Sequence, residues 1–185
     1  MTQSPSPVVA PPADFPRGPE PGTFLHGLLE WMARTGFETL ARDPAPLREL
    51  VARRCHHRGW EHWIDPINQW LRDLLRLPLQ WGPGGAPLVL GQLAHCQAEM
   101  DFWFQAGQVD TRSLDRLVTR HTLDGRPRPA RLPDTLNGMM KGFIDLVFEH
   151  QGRYYVADYK SNWLGDTAGA YGPEALAGAV AARRY

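Results

Sequence analysis

Two aspartates and a lysine near the C-terminal end have the types and the spacing to do chemistry. They lie in two runs, Lys141–His150 and Arg153–Lys160, rich in β-branched and aromatic residues and separated by Gln151-Gly152. Such a pattern predicts a β-hairpin closed by a two-residue turn. With His150 facing Arg153, the register sets Asp145 opposite Asp158, on one face, with Cβ atoms about 4.5–5.5 Å apart. Lys160 is two residues beyond Asp158 and joins that face. Opposed carboxylates repel unless something neutralises them, and a divalent cation held between them does so. Hard oxygen donors suit Mg²⁺, which takes few carboxylates and keeps several waters. Such an ion neutralises phosphate charge and lowers the pKa of an attacking water; a neighbouring ammonium orients the water or stabilises the developing charge. The pattern therefore predicts metal-dependent phosphodiester hydrolysis by Asp145, Asp158 and Lys160. Asp-x-Lys alone is common and fits a plain surface hairpin; the register and the apolar residues around both acids make the sharper reading.

Other elements must carry this hairpin. Residues 1–21 hold Pro5, Pro7, Pro11, Pro12, Pro16, Pro19 and Pro21, which predicts an extended linker or tail. A helix is expected from Gly22-Thr23 with Thr23 as cap, its apolar stripe Phe24, Leu25, Leu28, Leu29 and Met32. Arg42–Trp60, entered through Pro44 and Pro46, and Glu61–Leu77 read as further helices. Gly82–Pro87 reads as a loop. Ala98–Gln105 alternates as a strand, with Glu99, Asp101 and Trp103 on one face and Met100, Phe102 and Phe104 on the other. Residues 111–121 read as a short helix, 124–137 as a Pro-rich connection, Ser161–Gly165 as a turn and 173–185 as an alanine-rich helix. Ser161 and Asn162 could contact DNA or stabilise the turn, the turn being the safer reading, and Tyr159 alternates to the face opposite Asp158, as packing. Together these predict an α/β fold, a mixed central sheet flanked by helices with the acids at one end.

The chain has 185 residues, of which 43% are hydrophobic and 22% charged, and its formal net charge is zero. That suits one domain with a real core. Global charge favours no polyanionic partner, so any DNA contact falls to local basic stretches such as Arg126–Arg131. Two cysteines, Cys55 and Cys96, make no disulfide framework and point to a reducing compartment, the cytoplasm. No apolar run is long enough to span a bilayer, so no membrane contact is expected. Cys55, His56, His57, Glu61 and His62 cluster in sequence, but no zinc spacing fits; a solvated helix end accounts for them. Trp60, Trp63, Trp70 and Trp81 could stack on bases, but at helical spacing they read as core.

Gly142-Phe143-Ile144-Asp145-Leu146, followed by Tyr155-Val156-Ala157-Asp158-Tyr159-Lys160-Ser161-Asn162-Trp163-Leu164-Gly165, closely resembles the C-terminal nuclease domain of RecB, the exonuclease V beta subunit. That domain lies in the PD-(D/E)xK nuclease superfamily, with its restriction-endonuclease-like core. Phe15–His26 resembles the same family, so the likeness spans roughly residues 15–185. The resemblance implies that Asp145 and Asp158 are the principal metal carboxylates and Lys160 the catalytic lysine. It implies that His26 reaches the metal from the first helix, where the sequence alone reads a structural histidine, and that Glu99 helps hold the metal or its waters; Asp101 stays open beside Glu99. It implies Mg²⁺, single- and double-stranded DNA ends as substrate, and RecC- and RecD-like subunits and RecA as partners in recombinational repair. The family's domain continues into a helix with a Gln-x-x-x-Tyr motif, so residues 22–185 are expected to be a truncated version of it. A catalytically silent DNA-binding, RecA-binding or subunit-docking module is the alternative. No Gly-x-x-x-x-Gly-Lys-Ser/Thr loop is present, so no ATPase is expected in this stretch. Nothing reads as a base-recognition element of a sequence-specific endonuclease.

Overall fold

A computed structural model describes residues 11–12, 14–79, 87–127, 129–130, 132–165 and 168–183. The expected loop at 82–86, Trp81, Arg128, Arg131 and the last two residues lie outside the described set. The chain divides into two compact units. One comprises Met1–Met100 and Ile144–Trp163, the other Asp101–Phe143 and Leu164–Tyr185.

The first unit opens with α1 (Pro19–Thr35). Proline suits the first helical turn because its missing N–H would be unpaired there anyway. The helix therefore starts three residues before the expected Gly22, and Thr23 is no cap: its hydroxyl donates to the Pro19 carbonyl at 3.0 Å. Residues 1–10 of the tail expected over 1–21 lie outside the described set, and Phe15, within that stretch, is buried in the core. The expected stripe on α1 is buried, from Phe24 to Met32. A short helix the periodicity did not separate, α2 (Phe37–Arg42), follows. It precedes α3 (Ala45–His56) and α4 (Ile64–Arg76). Ile67, Leu71 and Leu75 recur every four residues along one face of α4 and are buried together with Phe37, Leu40, Leu47 and Val51. Each such side chain contributes about 1.5–3 kcal/mol relative to exposure. Trp60, Trp63 and Trp70 pack on the same core, as helical spacing indicated. His56 and Glu61 form an exposed pair at 3.3 Å beside the buried Cys55, which is the solvated helix end expected there.

Three strands follow, β1 (Cys96–Asp110), β2 (Thr135–His150) and β3 (Arg153–Ala157), in the spatial order β1-β2-β3. The α/β reading holds, and the architecture is compatible with a restriction-endonuclease-like core. β2 and β3 pair antiparallel from His150↔Arg153 to Leu146↔Ala157, the register expected from the turn. Gln151 and Gly152 both have positive φ, 53° and 73°, as the twist-matched primed hairpin turn requires. The Glu149 side chain accepts from the Gly152 N–H at 2.6 Å. Leu146 and Phe148 point from β2 into the helical core. The alternation in β1 is broken at Glu99, whose φ is +49°.

In the second unit, α5 (Thr111–His121) begins where Asp110 accepts from the Arg112 and Ser113 N–H groups. These bonds, the Ser113 hydroxyl foremost, hold the Asp110 carboxyl below the usual range. Thr111 ties this start to the Pro-rich connection, donating to the Leu132 carbonyl and accepting from the Asp134 N–H, both at 2.9 Å. Lys141 pairs with Asp101 at 3.4 Å and lies over the rings of Trp103 and Phe143. The unit closes with α6 (Pro173–Arg183).

Candidate active site

Asp145 precedes Leu146, the last residue of β2 paired with β3. Beyond that pair the backbone ladder stops, and Asp158 stands just past the end of β3. The two aspartates occupy the positions that would form the next pair, but no ladder pairing joins them. Instead the Asp145 side chain takes over from the ladder: its Oδ2 accepts the Tyr159 N–H at 2.6 Å. A carboxylate so used is held in one rotamer, and the Asp145 side chain is only 16% exposed.

His26, on α1, brings Nδ1 to 3.8 Å from the same Oδ2. Its ring meets Tyr159 edge-on, with centroids 6.0 Å apart. Asp145 thus lies between a helix side chain and the chain leaving β3. Tyr159 packs against the core, as expected, and its hydroxyl is buried without a hydrogen-bond partner among the described residues. Burial first, and then the charge of Asp145, push that hydroxyl well above the usual tyrosine range, with Cys96 and Glu99 adding to the effect. Asp101 belongs to the second unit, paired with Lys141; the left-handed turn of the backbone at Glu99 breaks the alternation that would have set the two acids on one face.

Lys160 Nζ contacts Asp158 Oδ2, on the more exposed side of the segment, Asp158 being 57% exposed. The structure therefore pairs His26 with Asp145 and Lys160 with Asp158. Among the described residues no three His, Cys, Asp or Glu side chains form a metal-holding group. The donors do suit a hard divalent cation. Glu99, Asp145 and Asp158 would supply the hard oxygen donors that Mg²⁺ prefers, and His26 a nitrogen.

One nearby residue escaped the sequence reading. Gly22 faces Ser161 so closely that a Cβ on it would lie 2.8 Å from the Ser161 hydroxyl. The Gly-x-x-x-His spacing, which sets both residues on one helix face, was the available signal.

No protein-family model matches the chain. It is 37% identical over 179 residues to the RecBCD enzyme subunit RecB of Escherichia coli (strain K12), which covers 94% of this chain and 14% of that protein. The RecB of Haemophilus influenzae is 33% identical over 168 residues, covering 88% of this chain and 13% of its own length. The RecB of Mycobacterium tuberculosis is 32% identical over 204 residues, covering 94% and 18%. The chain thus spans less than a fifth of each of these relatives. Aligned along nearly its whole length with one segment of these proteins, it belongs to the RecB family.

Proposed function

We propose that this chain is the metal-dependent DNA nuclease domain of a RecB-like subunit, hydrolysing phosphodiester bonds at DNA ends in recombinational repair. The observation that carries the reading is the fixing of Asp145 at the end of the β2–β3 ladder. The Tyr159 N–H holds it and His26 stands 3.8 Å away, in a chain that aligns over 94% of its length with RecB. His26, Glu99, Asp145 and Asp158 would hold Mg²⁺. When bound, the ion supplies charge neutralisation at the phosphate and a water of lowered pKa. Asp145 presents its carboxylate in one fixed orientation, which limits the reorganisation needed on binding. Lys160, whose Nζ contacts Asp158, would stabilise the scissile phosphate and the charge that develops on it. By the same homology, RecC- and RecD-like subunits and RecA are the proposed partners, in the cytoplasm. No helix among the described residues is long and apolar enough to cross a membrane.

A docking module without turnover is favoured by one observation, the exposed Trp103, Phe104, Met139 and Phe143 of the second unit, since large exposed apolar side chains mark interaction surfaces. Linear single-stranded DNA, assayed with Mg²⁺ and then with EDTA, decides between the readings. The expected result is metal-dependent degradation by the wild type and loss of at least about 100-fold in Asp158→Ala, the usual scale for removing an electrostatic catalytic group. Undiminished cleavage in that variant, or DNA or RecA binding without cleavage in the wild type, refutes the nuclease assignment.

A further inference from the structure

Lys160 sits in a stretch, residues 158–165, that has no strand or helix of its own, yet a lysine acting at a phosphate must be placed to within a fraction of an ångström. The contacts that hold this stretch run in antiparallel order along α1 and the residues before it. Tyr159 meets His26 edge-on at 6.0 Å, Ser161 abuts Gly22, and Trp163 lies under the Arg17 guanidinium, 3.9 Å from its ring centroid. Gly22 and His26 are one helical turn apart and share a face, and Tyr159 and Ser161 both meet that face. The two rows therefore match, and Lys160 lies between two of the anchored residues.

We propose that Gly22 is a positioning residue for this site: its bare Cα lets the Lys160 segment lie against α1, and this seat fixes Lys160 relative to Asp145. The functional half of the inference rests on the nuclease reading above; the structural half does not. The Ser161 hydroxyl would lie 2.8 Å from a Cβ at position 22, where ordinary contact begins near 3.4 Å, and outside the helix's own backbone no other atom among the described residues comes within 4 Å. Alanine at this position is therefore accommodated by turning one hydroxyl, whereas a longer side chain has to displace the segment. Both alanine and leucine favour the helix over glycine, so a loss of activity here does not arise from a weakened α1.

The test reads two quantities in the full chain: Mg²⁺-dependent cleavage, and hydrogen exchange at the Tyr159 amide, which is bonded to Asp145. Gly22→Ala is expected to stay near wild type. Gly22→Leu is expected to lose about tenfold in cleavage, through misplacement of Lys160, with exchange at Tyr159 faster by a similar factor. Ser161→Gly is expected to restore part of both losses. Ser161→Leu fills the same gap from a segment without secondary structure, so it keeps the test open if Gly22→Leu fails to fold, and it is expected to behave like Gly22→Leu. Wild-type exchange at Tyr159 in both leucine variants overturns the proposal, as does a loss of cleavage with unchanged exchange. A wild type that cleaves nothing refutes the nuclease reading alone, because the exchange comparison still decides whether Gly22 seats the segment.

Discussion

Asp145 carries both a structural and a chemical duty, and two substitutions separate them. Its Oδ2 accepts the Tyr159 N–H at 2.6 Å, on a side chain only 16% exposed. A hydrogen bond to an ionised acceptor contributes about 1.5–3 kcal/mol, and a neutral one about 1 kcal/mol. Asp145→Ala removes the acceptor and leaves a half-buried N–H unmet, an expected cost of about 2 kcal/mol, or a factor of about 30 in the folded-to-unfolded ratio. Asp145→Asn keeps a carbonyl oxygen on that N–H and loses only the charge assistance, an expected cost of about 1 kcal/mol. Urea denaturation should show midpoints falling in the order wild type, asparagine, alanine, with unchanged m. Mg²⁺-dependent cleavage should vanish in both variants, since neither retains a carboxylate. An asparagine variant that cleaves like wild type, or an alanine variant as stable as wild type, refutes this account of Asp145.

Gln151 adopts φ +53° in the hairpin turn, a conformation that Asn tolerates better than Gln. Gln151→Asn should therefore raise stability by about 0.5–1 kcal/mol, read as a higher urea midpoint. Burial raises the Tyr159 hydroxyl above its ordinary pKa. Its unfolded form gives up a proton first, so its contribution to stability is fully present below about pH 10 and is lost as the pH rises from there toward the folded value. Thermal melts from pH 9 to 11 should show a steeper alkaline decline for wild type than for Tyr159→Phe; matching slopes would disprove it.

The hairpin was legible because its information is local. Gln151-Gly152 dictates a two-residue primed turn, the turn dictates the register, and the register runs unbroken from His150↔Arg153 to Leu146↔Ala157. The helix at 111–121 and the start of α6 at Pro173 were equally local; in the structure Asp110 caps the first and a proline opens the second. What escaped depended on tertiary contact or on backbone choices that side chains do not announce. Glu99 takes a left-handed conformation that no glycine flags. The ladder ends one pair before the aspartates because a side chain, Asp145, captures the next N–H. Thr23 looked like a cap because threonine so often is one, while Pro19 had already opened the helix. The nearness of His26 to Asp145 joins residues more than a hundred positions apart, and only family resemblance pointed to it.

The chain leaves the first unit after Met100, returns at Ile144, and leaves again after Trp163. Neither unit is one uninterrupted stretch of polypeptide. No single nick can liberate either as an intact body, and no simple excision of contiguous codons yields one alone. The first unit nevertheless contains all five candidate residues, and its two pieces are joined through 101–143, which behaves as a nested insert. That insert is ordered structure, with much of β1 and β2 and all of α5 in it, so shortening it removes sheet and not slack.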